Sequence, residues 1–352
     1  MAADFDPRLS PARQGFRMPA EWEPHRATWL SWPHKEASWP GNFAPIPAVF
    51  AQMALHLSRG EQVYINAGPE ELRQSAEAEL RRAGVDLSRV RFFSIPTDDA
   101  WVRDHGPIFL TRTAGNSETE YLILDWGYNA WGGKYPPFDQ DDVVPRKIAA
   151  ALGLPCRELP MILEGGSIEV NGRGALLTTE ACLLNPNRNP GMKRGEIETQ
   201  LRAMLNVDEI WWLGEGIAGD DTDGHVDDLA RFTAPDTIVT VVEEDPEDEN
   251  YQLLQDNLRR LRLLATQHQL RIETLPMPPA VIYENQRLPA SYANFYIANS
   301  VVLVPTFNCP ADALALATLA RLFPTRQVIG VGCREMVWGL GTCHCATQQQ
   351  PL

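Results

Sequence analysis

The stretch 238–274 reads IVTVVEEDPEDENYQLLQDNLRRLRLLATQHQLRIET and contains the pattern from which the fold class follows. Its first run, Ile238–Val242, is rich in β-branched residues and predicts a strand. An acidic loop, Glu243–Glu249, then leads into Tyr251–His268, where apolar residues recur at three-to-four spacing and predict a helix. A second strand is predicted at Leu270–Thr274. The stretch therefore predicts a strand–helix–strand unit.

The same alternation extends over the rest of the chain. Further strands are predicted at Ala27–Trp32, Gln62–Asn66, Arg91–Ile95, Tyr121–Leu124, Glu209–Leu213, Ser300–Pro305 and Gln327–Val331. Further helices are predicted at Pro47–Leu57, Glu70–Ala83, Val144–Leu152, Arg194–Leu205 and Ala311–Phe323. Interleaved strands and helices indicate an α/β fold. No glycine-rich nucleotide-binding motif follows a predicted strand, so neither a Rossmann nor a P-loop fold is supported.

The composition is typical of a soluble globular protein, with 352 residues, 44% hydrophobic and 22% charged. The formal net charge of −15 disfavours binding to nucleic acids and favours a small cationic partner. No apolar run approaches the roughly 18 residues that a membrane span needs. The first twenty residues lack the apolar core of a signal peptide, so we expect a cytoplasmic protein. The oligomeric state is left open, with a homodimer as one option.

Six cysteines are present, and we expect them to be reduced in a cytoplasmic protein. Cys345 lies in the stretch 339–349, GLGTCHCATQQ, where glycines such as Gly341 permit close approach of the backbone to a ligand. We expect this stretch to be extended, so that Cys343 and Cys345 share one face and His344 points away. His344 would then be badly placed to activate Cys345. A buried structural thiol is the simpler alternative.

Four other clusters contain residues that can carry chemistry. They are MPAEWEPH at 18–25, AWVRDHGP at 100–107, LEGGSIE at 163–169 and GDDTDGHVDD at 219–228. The first three also have structural interpretations, as an aromatic-rich loop, a salt-bridged turn closed by Gly-Pro and a turn carboxylate before two glycines. The fourth is too dense in Asp and His for an ordinary loop. If residues 225–227 are extended, His225 and Asp227 share a face.

One thiol, one imidazole and several carboxylates suit a guanidinium substrate. A planar guanidinium presents five N–H donors, and carboxylates pair with it bidentately. Asp104, Glu164 and Asp227 would hold such a group with its central carbon facing Cys345. A thiolate is a good nucleophile that a cationic substrate stabilises. His225 would protonate the departing ammonia and then activate water.

A zinc site is the rival interpretation, because Cys343, Cys345, His225 and an aspartate are acceptable zinc ligands. The chain has no CxxC or HExxH framework to support it. We therefore expect a reaction that uses no metal and no cofactor.

Five motifs, in this order, resemble the agmatine deiminase and bacterial-type peptidyl-arginine deiminase family from Met18 to about Pro351. They are MPAEW at 18–22 with His25 and Trp32-Pro33, WVRDHGP at 101–107, EGGSIE at 164–169, GHVD at 224–227 and HCATQQ at 344–349. Each motif alone is weakly specific, whereas five in order are strongly specific. The resemblance implies an N-terminal tail, 1–17, and a single catalytic domain, 18–352. It also implies an α/β propeller of five ββαβ units around a pseudo-fivefold axis, similar to arginine deiminases and amidinotransferases.

The resemblance further implies a role for each site residue. Cys345 would be the nucleophile and His225 the acid/base. Asp104 and Asp227 would bind the guanidinium, and Glu164 would orient the histidine or the substrate. Trp101 would form a wall of the site. The chain also departs from the family pattern. Leu340 stands where a third glycine is usual, Cys343 where an aliphatic residue is usual, and residues 220–223 read DDTD where agmatine-specific relatives read more like DETN. These departures concern the distal substrate contacts.

We predict a hydrolase that deiminates a guanidino group through a covalent amidino intermediate. The preferred substrate is agmatine, which gives N-carbamoylputrescine and ammonia, a step toward putrescine. Asp221, more than Asp223, is predicted to pair with the distal ammonium, and Gly341 is predicted to contact the substrate. No Arg or Lys beside the motifs is placed to receive the α-carboxylate of arginine, because alternation turns Arg103 away. The alternatives are a peptidyl-arginine deiminase, an amidinotransferase, and a catalytically inactive protein that binds guanidines or polyamines.

Overall fold

One pairing pattern recurs along the chain: an antiparallel pair of strands is followed by a parallel pair whose members are joined by a helix. The computed structural model describes residues 5–115 and 118–352, and within them the pattern occurs in five sheets. Parallel neighbours need a crossover connection, which explains why each of these helices lies between two strands of one sheet. The predicted α/β fold is confirmed.

The strands are β1 (His25–Ser31), β2 (Gln62–Asn66), β3 (Val90–Phe93), β4 (Ile108–Thr113), β5 (Thr119–Gly127), β6 (Cys156–Ile162), β7 (Glu169–Val170), β8 (Ala175–Thr179), β9 (Glu209–Leu213), β10 (Ala230–Ala234), β11 (Thr237–Val242), β12 (Arg271–Pro276), β13 (Ile282–Tyr283), β14 (Gln286–Arg287), β15 (Tyr296–Ile297), β16 (Val301–Thr306), β17 (Gln327–Gly332) and β18 (Gln348–Pro351). The helices are α1 (Ile46–Leu57), α2 (Glu70–Arg82), α3 (Val102–His105), α4 (Ala130–Gly133), α5 (Val144–Leu152), α6 (Glu180–Leu183), α7 (Arg194–Leu205), α8 (Tyr251–His268) and α9 (Ala311–Leu322).

The recurring sheets have the orders β18-β1-β2-β3, β4-β5-β6, β7-β8-β9, β10-β11-β12 and β15-β16-β17, and β13-β14 is a separate hairpin. The last strand, β18, pairs antiparallel with the first strand, β1, so the two ends of the chain meet in one sheet. The segment just before β18 is the cysteine-bearing stretch. None of the sheets in the described residues closes on itself.

Each predicted strand and helix is present, with boundaries that differ by a few residues at most. The sequence analysis missed β4, β6, β8, β10 and β18, along with several two-residue strands and short helices. β18 (QQQP) is polar in composition yet entirely buried, so hydrophobic patterning carries no signal for it. The core strand β1 is buried at six of seven positions, as expected for a strand covered on both faces.

The predicted N-terminal tail is partly described, since residues 1–4 lie outside the described residues. The rings of Phe5 and Phe16 meet edge to face with centroids 6.4 Å apart, and Phe16 is fully buried. Arg17 forms a β-bridge with Thr111. The described part of the tail therefore packs on the sheet that contains β4. No helix in the described ranges is long and apolar enough to cross a membrane.

Candidate active site

A cavity of about 400 Å³ opens beside the cysteine-bearing stretch. Five of the predicted site residues line it, namely Trp101, Asp104, Asp221, Gly341 and Cys345. A Cβ at Gly341 would lie 2.7 Å from the Trp101 ring and 3.0 Å from Cβ of Cys345. Only glycine fits between the tryptophan and the cysteine, which gives Gly341 a physical reason to lack a side chain.

Four predicted side chains meet behind Cys345, around Gly166. They are Asp104, Glu164, His225 and Asp227, which we call the reaction cluster. A Cβ at Gly166 would lie 2.5 Å from Nδ1 of His225, 2.9 Å from Oδ1 of Asp104 and 3.0 Å from Oδ2 of Asp227. The second glycine of the EGG motif, Gly166, therefore leaves room for the imidazole and the carboxylates in one small space.

Asp104 is held in place by two donors. Nε1 of Trp131 donates to its Oδ2 at 3.0 Å, and the amide of Gly166 donates to its Oδ1 at 3.1 Å. Burial, and then the neighbouring carboxylate of Glu164, raise the pKa of Asp104 to about 7. α3 turns Arg103 away from the cavity, as predicted, although the prediction of an extended segment is wrong because Val102–His105 is helical.

Glu164 is held by a buried arginine that the sequence analysis missed. Nε of Arg188 donates to Oε1 of Glu164 at 2.6 Å, and its other nitrogens donate to the carbonyl of Thr222 and to Asp223. Burial raises the pKa of Glu164 despite this partner. Oε2 of Glu164, 4.0 Å from Nε2 of His225, has no hydrogen-bond partner among the described residues. Nothing in the NPNRNP sequence around Arg188 signals this contact.

His225 lies between Asp104 and Glu164, with Nδ1 3.7 Å from Oδ1 of Asp104. The predicted extended backbone at residues 225–227 is wrong, because Val226–Asp228 forms a 3-10 turn. Even so, His225 and Asp227 both face Gly166. Burial, and then the charge of Arg188, lower the pKa of His225 well below its usual value. The imidazole is therefore neutral and available as a base.

The cysteine-bearing stretch is a turn, so the prediction of an extended segment is wrong. The amide of Ala346 donates to the carbonyl of Thr342 at 3.2 Å. Asn294 stabilises the turn, because its Oδ1 accepts from Oγ1 of Thr342 at 2.7 Å and from the amide of His344 at 3.1 Å. Cys343 and Cys345 consequently face different surroundings: Sγ of Cys343 is 3.7 Å from Sγ of Cys333 and outside the cavity lining.

Cys345 is the thiol that faces the reaction cluster. Nδ2 of Asn294 donates to its Sγ at 3.1 Å, and its Sγ lies 3.9 Å from Oδ2 of Asp227. Burial, and then the nearby carboxylates of Asp227 and Asp228, raise the pKa of Cys345 well above its usual value. A cationic group bound among these carboxylates offsets their effect and favours the thiolate.

His344 does contact the reaction cluster, which the extended interpretation had excluded. Its Nδ1 lies 2.6 Å from Oδ2 of Asp227, and its Nε2 lies 2.8 Å from Oε2 of Glu21. The turn points His344 across the chain toward Asp227. The remaining oxygen of Asp227, Oδ1, is buried and has no hydrogen-bond partner among residues 5–115 and 118–352.

At the entrance of the cavity, the two predicted amine ligands differ. Asp221 is exposed, lines the cavity and accepts a hydrogen bond from the hydroxyl of Tyr135. Asp223 does not line the cavity. Burial opposes its ionisation, but hydrogen bonds from Lys134, Asn187 and Arg188 outweigh this and hold its pKa below the usual value. Asp223 is therefore engaged in hydrogen bonds with its neighbours, and Asp221 is open to the cavity.

The rival zinc interpretation had combined the C-terminal cysteines with His225. In the described part of the chain, the potential ligand atoms that come together, within 4.8 Å, belong instead to Glu164, Cys182 and His225. Burial, and then the charge of Glu164, raise the pKa of Cys182 well above its usual value. Glu164 is already paired with Arg188, whose positive charge opposes a bound cation, and Cys182 lies outside the cavity lining. This donor set therefore does not fit zinc.

Comparisons with known proteins show which family the chain is similar to. A family model described as Porphyromonas-type peptidyl-arginine deiminase matches residues 17–351. The agmatine deiminase of Pseudomonas aeruginosa is 40% identical, and the alignment covers 98% of each chain. The solved agmatine deiminase of Enterococcus faecalis is 34% identical with a TM-score of 0.90, covering 97% of this chain and 98% of that one. The agmatine deiminase of C. jejuni, solved with substrate bound, is 31% identical with a TM-score of 0.87, covering 95% and 96%.

The family match spans nearly the whole chain, Trp101, Asp104 and Cys345 of its motifs line the cavity, and Asp104, His225 and Asp227 meet around Gly166. The chain therefore belongs to the Porphyromonas-type peptidyl-arginine deiminase family.

Proposed function

We propose that this protein hydrolyses the guanidino group of agmatine to give N-carbamoylputrescine and ammonia. The observation that carries the proposal is a set of buried polar atoms that have no hydrogen-bond partner in the described part of the chain: Oε2 of Glu164, both ring nitrogens of His225 and Oδ1 of Asp227. Buried polar groups are normally hydrogen-bonded. A guanidinium supplies N–H donors to the carboxylate oxygens, and it carries the compensating charge.

In the first half of the reaction, the guanidinium binds against Asp104 and Asp227 with its central carbon facing Cys345. Its charge favours the thiolate, the thiol proton passes to His225, and Sγ forms a bond to the carbon. The imidazolium then returns this proton to one nitrogen of the tetrahedral adduct, the carbon–nitrogen bond breaks, and ammonia leaves. A covalent amidino intermediate remains on Cys345.

In the second half, water replaces the departed ammonia. His225 takes a proton from this water, whose oxygen bonds to the same carbon. The carbon–sulfur bond breaks, Cys345 leaves as the thiolate, and the ureido product is released. Both halves use the same imidazole, first as acid and then as base.

The entrance of the cavity supports a small substrate with a distal amine. Asp221 offers a carboxylate there. The sequence analysis had found no lysine near the motifs, yet Lys35 and Lys134 also line the cavity. Both are paired with carboxylates: Nζ of Lys35 lies 3.4 Å from Asp99, and Nζ of Lys134 lies 2.8 Å from Asp223. These pairings reduce the attraction of the entrance for the α-carboxylate of arginine.

A peptidyl-arginine deiminase is the second candidate, because the matching family model is described by that activity. The chemistry at Cys345 would be the same. Two further candidates are an amidinotransferase, with an amine in place of water, and a catalytically inactive guanidine-binding protein.

We also propose the finer architecture that the repeated pairing pattern supports. The five sheets would form the blades of an α/β propeller around a pseudo-fivefold axis, in a single catalytic domain of residues 18–352. The protein would act in the cytoplasm without a cofactor. It would form a homodimer, and sedimentation measures the mass of the assembly. Activity that is lost after treatment with chelator and restored by zinc would contradict the metal-free reaction.

The substrate assignment is tested by an ammonia-release screen. The substrates are agmatine, arginine, a blocked arginine peptide, and guanidino amines one methylene shorter and longer. We expect the highest kcat/KM for agmatine. Faster turnover of the blocked peptide would favour the second candidate, and binding of agmatine without ammonia release would favour an inactive binding protein.

A further inference from the structure

His344 connects the reaction cluster to a second carboxylate. One ring nitrogen lies 2.6 Å from Oδ2 of Asp227 and the other lies 2.8 Å from Oε2 of Glu21. All three side chains are at most 5% exposed. Water has little access to these three side chains. Each proton between Asp227, His344 and Glu21 must therefore be held by one of these groups.

Glu21 can act only as an acceptor. Nη2 of Arg231 donates to its Oε1 at 2.9 Å, Nη2 of Arg103 donates to its Oε2 at 3.1 Å, and the amide of Ile297 donates to its Oε1 at 2.8 Å. Burial opposes ionisation of Glu21, but the charges of Arg231 and Arg103 and the hydrogen bond from His344 outweigh it and hold its pKa well below the usual value. A carboxylate with these partners is ionised, so Nε2 of His344 must carry a proton that it donates to Glu21.

One proton then lies between Nδ1 of His344 and Oδ2 of Asp227. If the proton is on Oδ2, Asp227 is a neutral acid that donates to a neutral imidazole. If it is on Nδ1, an imidazolium donates to a carboxylate. Both arrangements satisfy the 2.6 Å contact, and they differ only in the position of this proton.

At each of the two partners, some of the surroundings favour the neutral form and others favour the charged form. Burial and the carboxylates of Asp104 and Asp220 favour the neutral acid at Asp227, while the charges of Arg231 and Arg103 oppose it. At His344, burial and the charges of Arg103 and Arg231 favour the neutral ring, while Glu21 favours the imidazolium. Without substrate, the balance therefore places the proton on Asp227.

We propose that His344 is a positioning residue that takes the shared proton from Asp227 when a guanidinium enters the cavity and returns it when the product leaves. The inference rests on the proposed function. The arriving cation stabilises the carboxylate form of Asp227, and Glu21 compensates the imidazolium that forms behind it. The proton moves from Oδ2 to Nδ1 with no change in net charge. Asp227 thus becomes a full carboxylate only when there is a cation to bind.

The first test follows the proton directly. In Cys345→Ala with ¹⁵N-labelled histidine, we expect agmatine to move the Nδ1 resonance of His344 from the region of unprotonated nitrogen to that of protonated nitrogen. The resonance is assigned by its absence from the double variant that also carries His344→Asn. If agmatine binds, as measured by calorimetry, and the Nδ1 resonance does not move, the inference is wrong.

The second test uses two variants that separate donation from proton transfer. His344→Asn places an amide near the position of Nδ1 and can still donate to Asp227, whereas His344→Gln places one near Nε2 and loses that contact. Neither amide accepts a proton in the working pH range. We expect the acid limb of kcat/KM to move to higher pH by about one pH unit in His344→Gln, because Asp227 must then release its proton to solvent before it binds the cation. We expect a smaller shift in His344→Asn, because the amide still donates to the carboxylate.

The control is His25→Gln. His25 is a buried histidine with Nδ1 3.2 Å from Glu61 and Nε2 2.7 Å from the backbone carbonyl of Glu21. Within the described residues it has no hydrogen bond to the reaction cluster or to the carboxylate of Glu21. Its replacement is expected to leave the pH profile in place even if it lowers stability. An unshifted acid limb in both His344 variants overturns the inference. Absence of ammonia release by the wild-type protein would instead overturn the proposed function, so the two failures are distinguishable.

Discussion

Two clusters of buried charge lie next to each other in this protein, and they differ in how completely their polar atoms are paired. In the first, Arg231 donates to Glu21 and Glu169 at 2.9 Å each, and Arg103 donates to Glu21 at 3.1 Å. We call this the paired cluster, comprising Glu21, Arg103, Glu169 and Arg231. The reaction cluster is buried to the same degree, yet Glu164, His225 and Asp227 each have a polar atom with no hydrogen-bond partner among the residues that the structure describes.

The difference distinguishes buried ionisable side chains that stabilise the fold from those that are available to a ligand. Burial of charge is tolerated where each group has opposite charge and hydrogen bonds, and leaving one partner out is strongly destabilising. The paired cluster satisfies this condition internally. The reaction cluster satisfies it only in part, through Arg188 at Glu164 and His344 at Asp227. A buried site that carries unsatisfied acceptors is arranged for a cationic ligand.

The largest expected effect is at the nucleophile. Cys345→Ala should reduce ammonia release by more than about 10⁴-fold, because no other group replaces the thiolate. Cys343→Ala is the matched control, since Sγ of Cys343 contacts Cys333 and does not line the cavity. We expect it to retain most of the activity. An inactive Cys343→Ala together with an active Cys345→Ala would show that the wrong thiol had been assigned.

The second effect is a loss of stability. We expect it from substitutions in the paired cluster and not from substitutions in the reaction cluster. Arg231→Met leaves Glu21 and Glu169 buried without their shared partner, and we expect a loss of about 3–5 kcal/mol in the free energy of unfolding. Arg81→Met breaks an exposed pair with Glu77 on α2 and should leave the free energy of unfolding almost unchanged, because solvent screens the pair. Denaturant unfolding measures both. Equal losses would remove the distinction between a buried pair and a surface pair.

The third effect is the converse, a large loss of activity without loss of stability. Asp104→Asn keeps the shape and removes the charge, and we expect kcat/KM to fall by about 10²–10³-fold. A carboxyl whose pKa is raised by folding opposes folding as pH rises through that pKa. The relief of this opposition in the variant offsets the loss of one of the two hydrogen bonds from Trp131 and Gly166, so the melting temperature at pH 8 should change little. Near-wild-type kcat/KM would show that Asp104 does not bind the substrate.

In the wild type, kcat/KM should decrease as pH falls below about 7, because Asp104 then becomes protonated and cannot pair with a guanidinium.

The smallest effect lies at the entrance. Asp221→Asn should raise KM for agmatine by about tenfold with little change in kcat, because it removes one charge-assisted contact to the distal ammonium. A guanidino compound without that amine should be unaffected. Glu284→Gln removes another carboxylate that lines the cavity and should change KM by less than about twofold. Equal responses at Asp221 and Glu284 would indicate general attraction by negative charge.

The α/β class and the identities of the site residues could be predicted from the amino-acid sequence. Periodicity predicts long elements well, and Val144–Leu152, Arg194–Leu205 and Tyr251–His268 were predicted with their observed bounds. Five short motifs identified the thiol, the imidazole and the carboxylates. The roles assigned to these residues stay predictions, but the residues do come together at the cavity and around Gly166.

Which buried atoms are paired, and which are left for a ligand, depends on the folded chain. Asn294 bends the cysteine-bearing stretch into a turn, Arg188 holds Glu164, and His344 reaches Asp227. Asn294 and the turn are about 50 positions apart in the chain, and His344 and Asp227 are 117 apart. Local patterns report the conformation of neighbouring residues, whereas the pairing of a buried charge depends on side chains that only folding brings within hydrogen-bond distance.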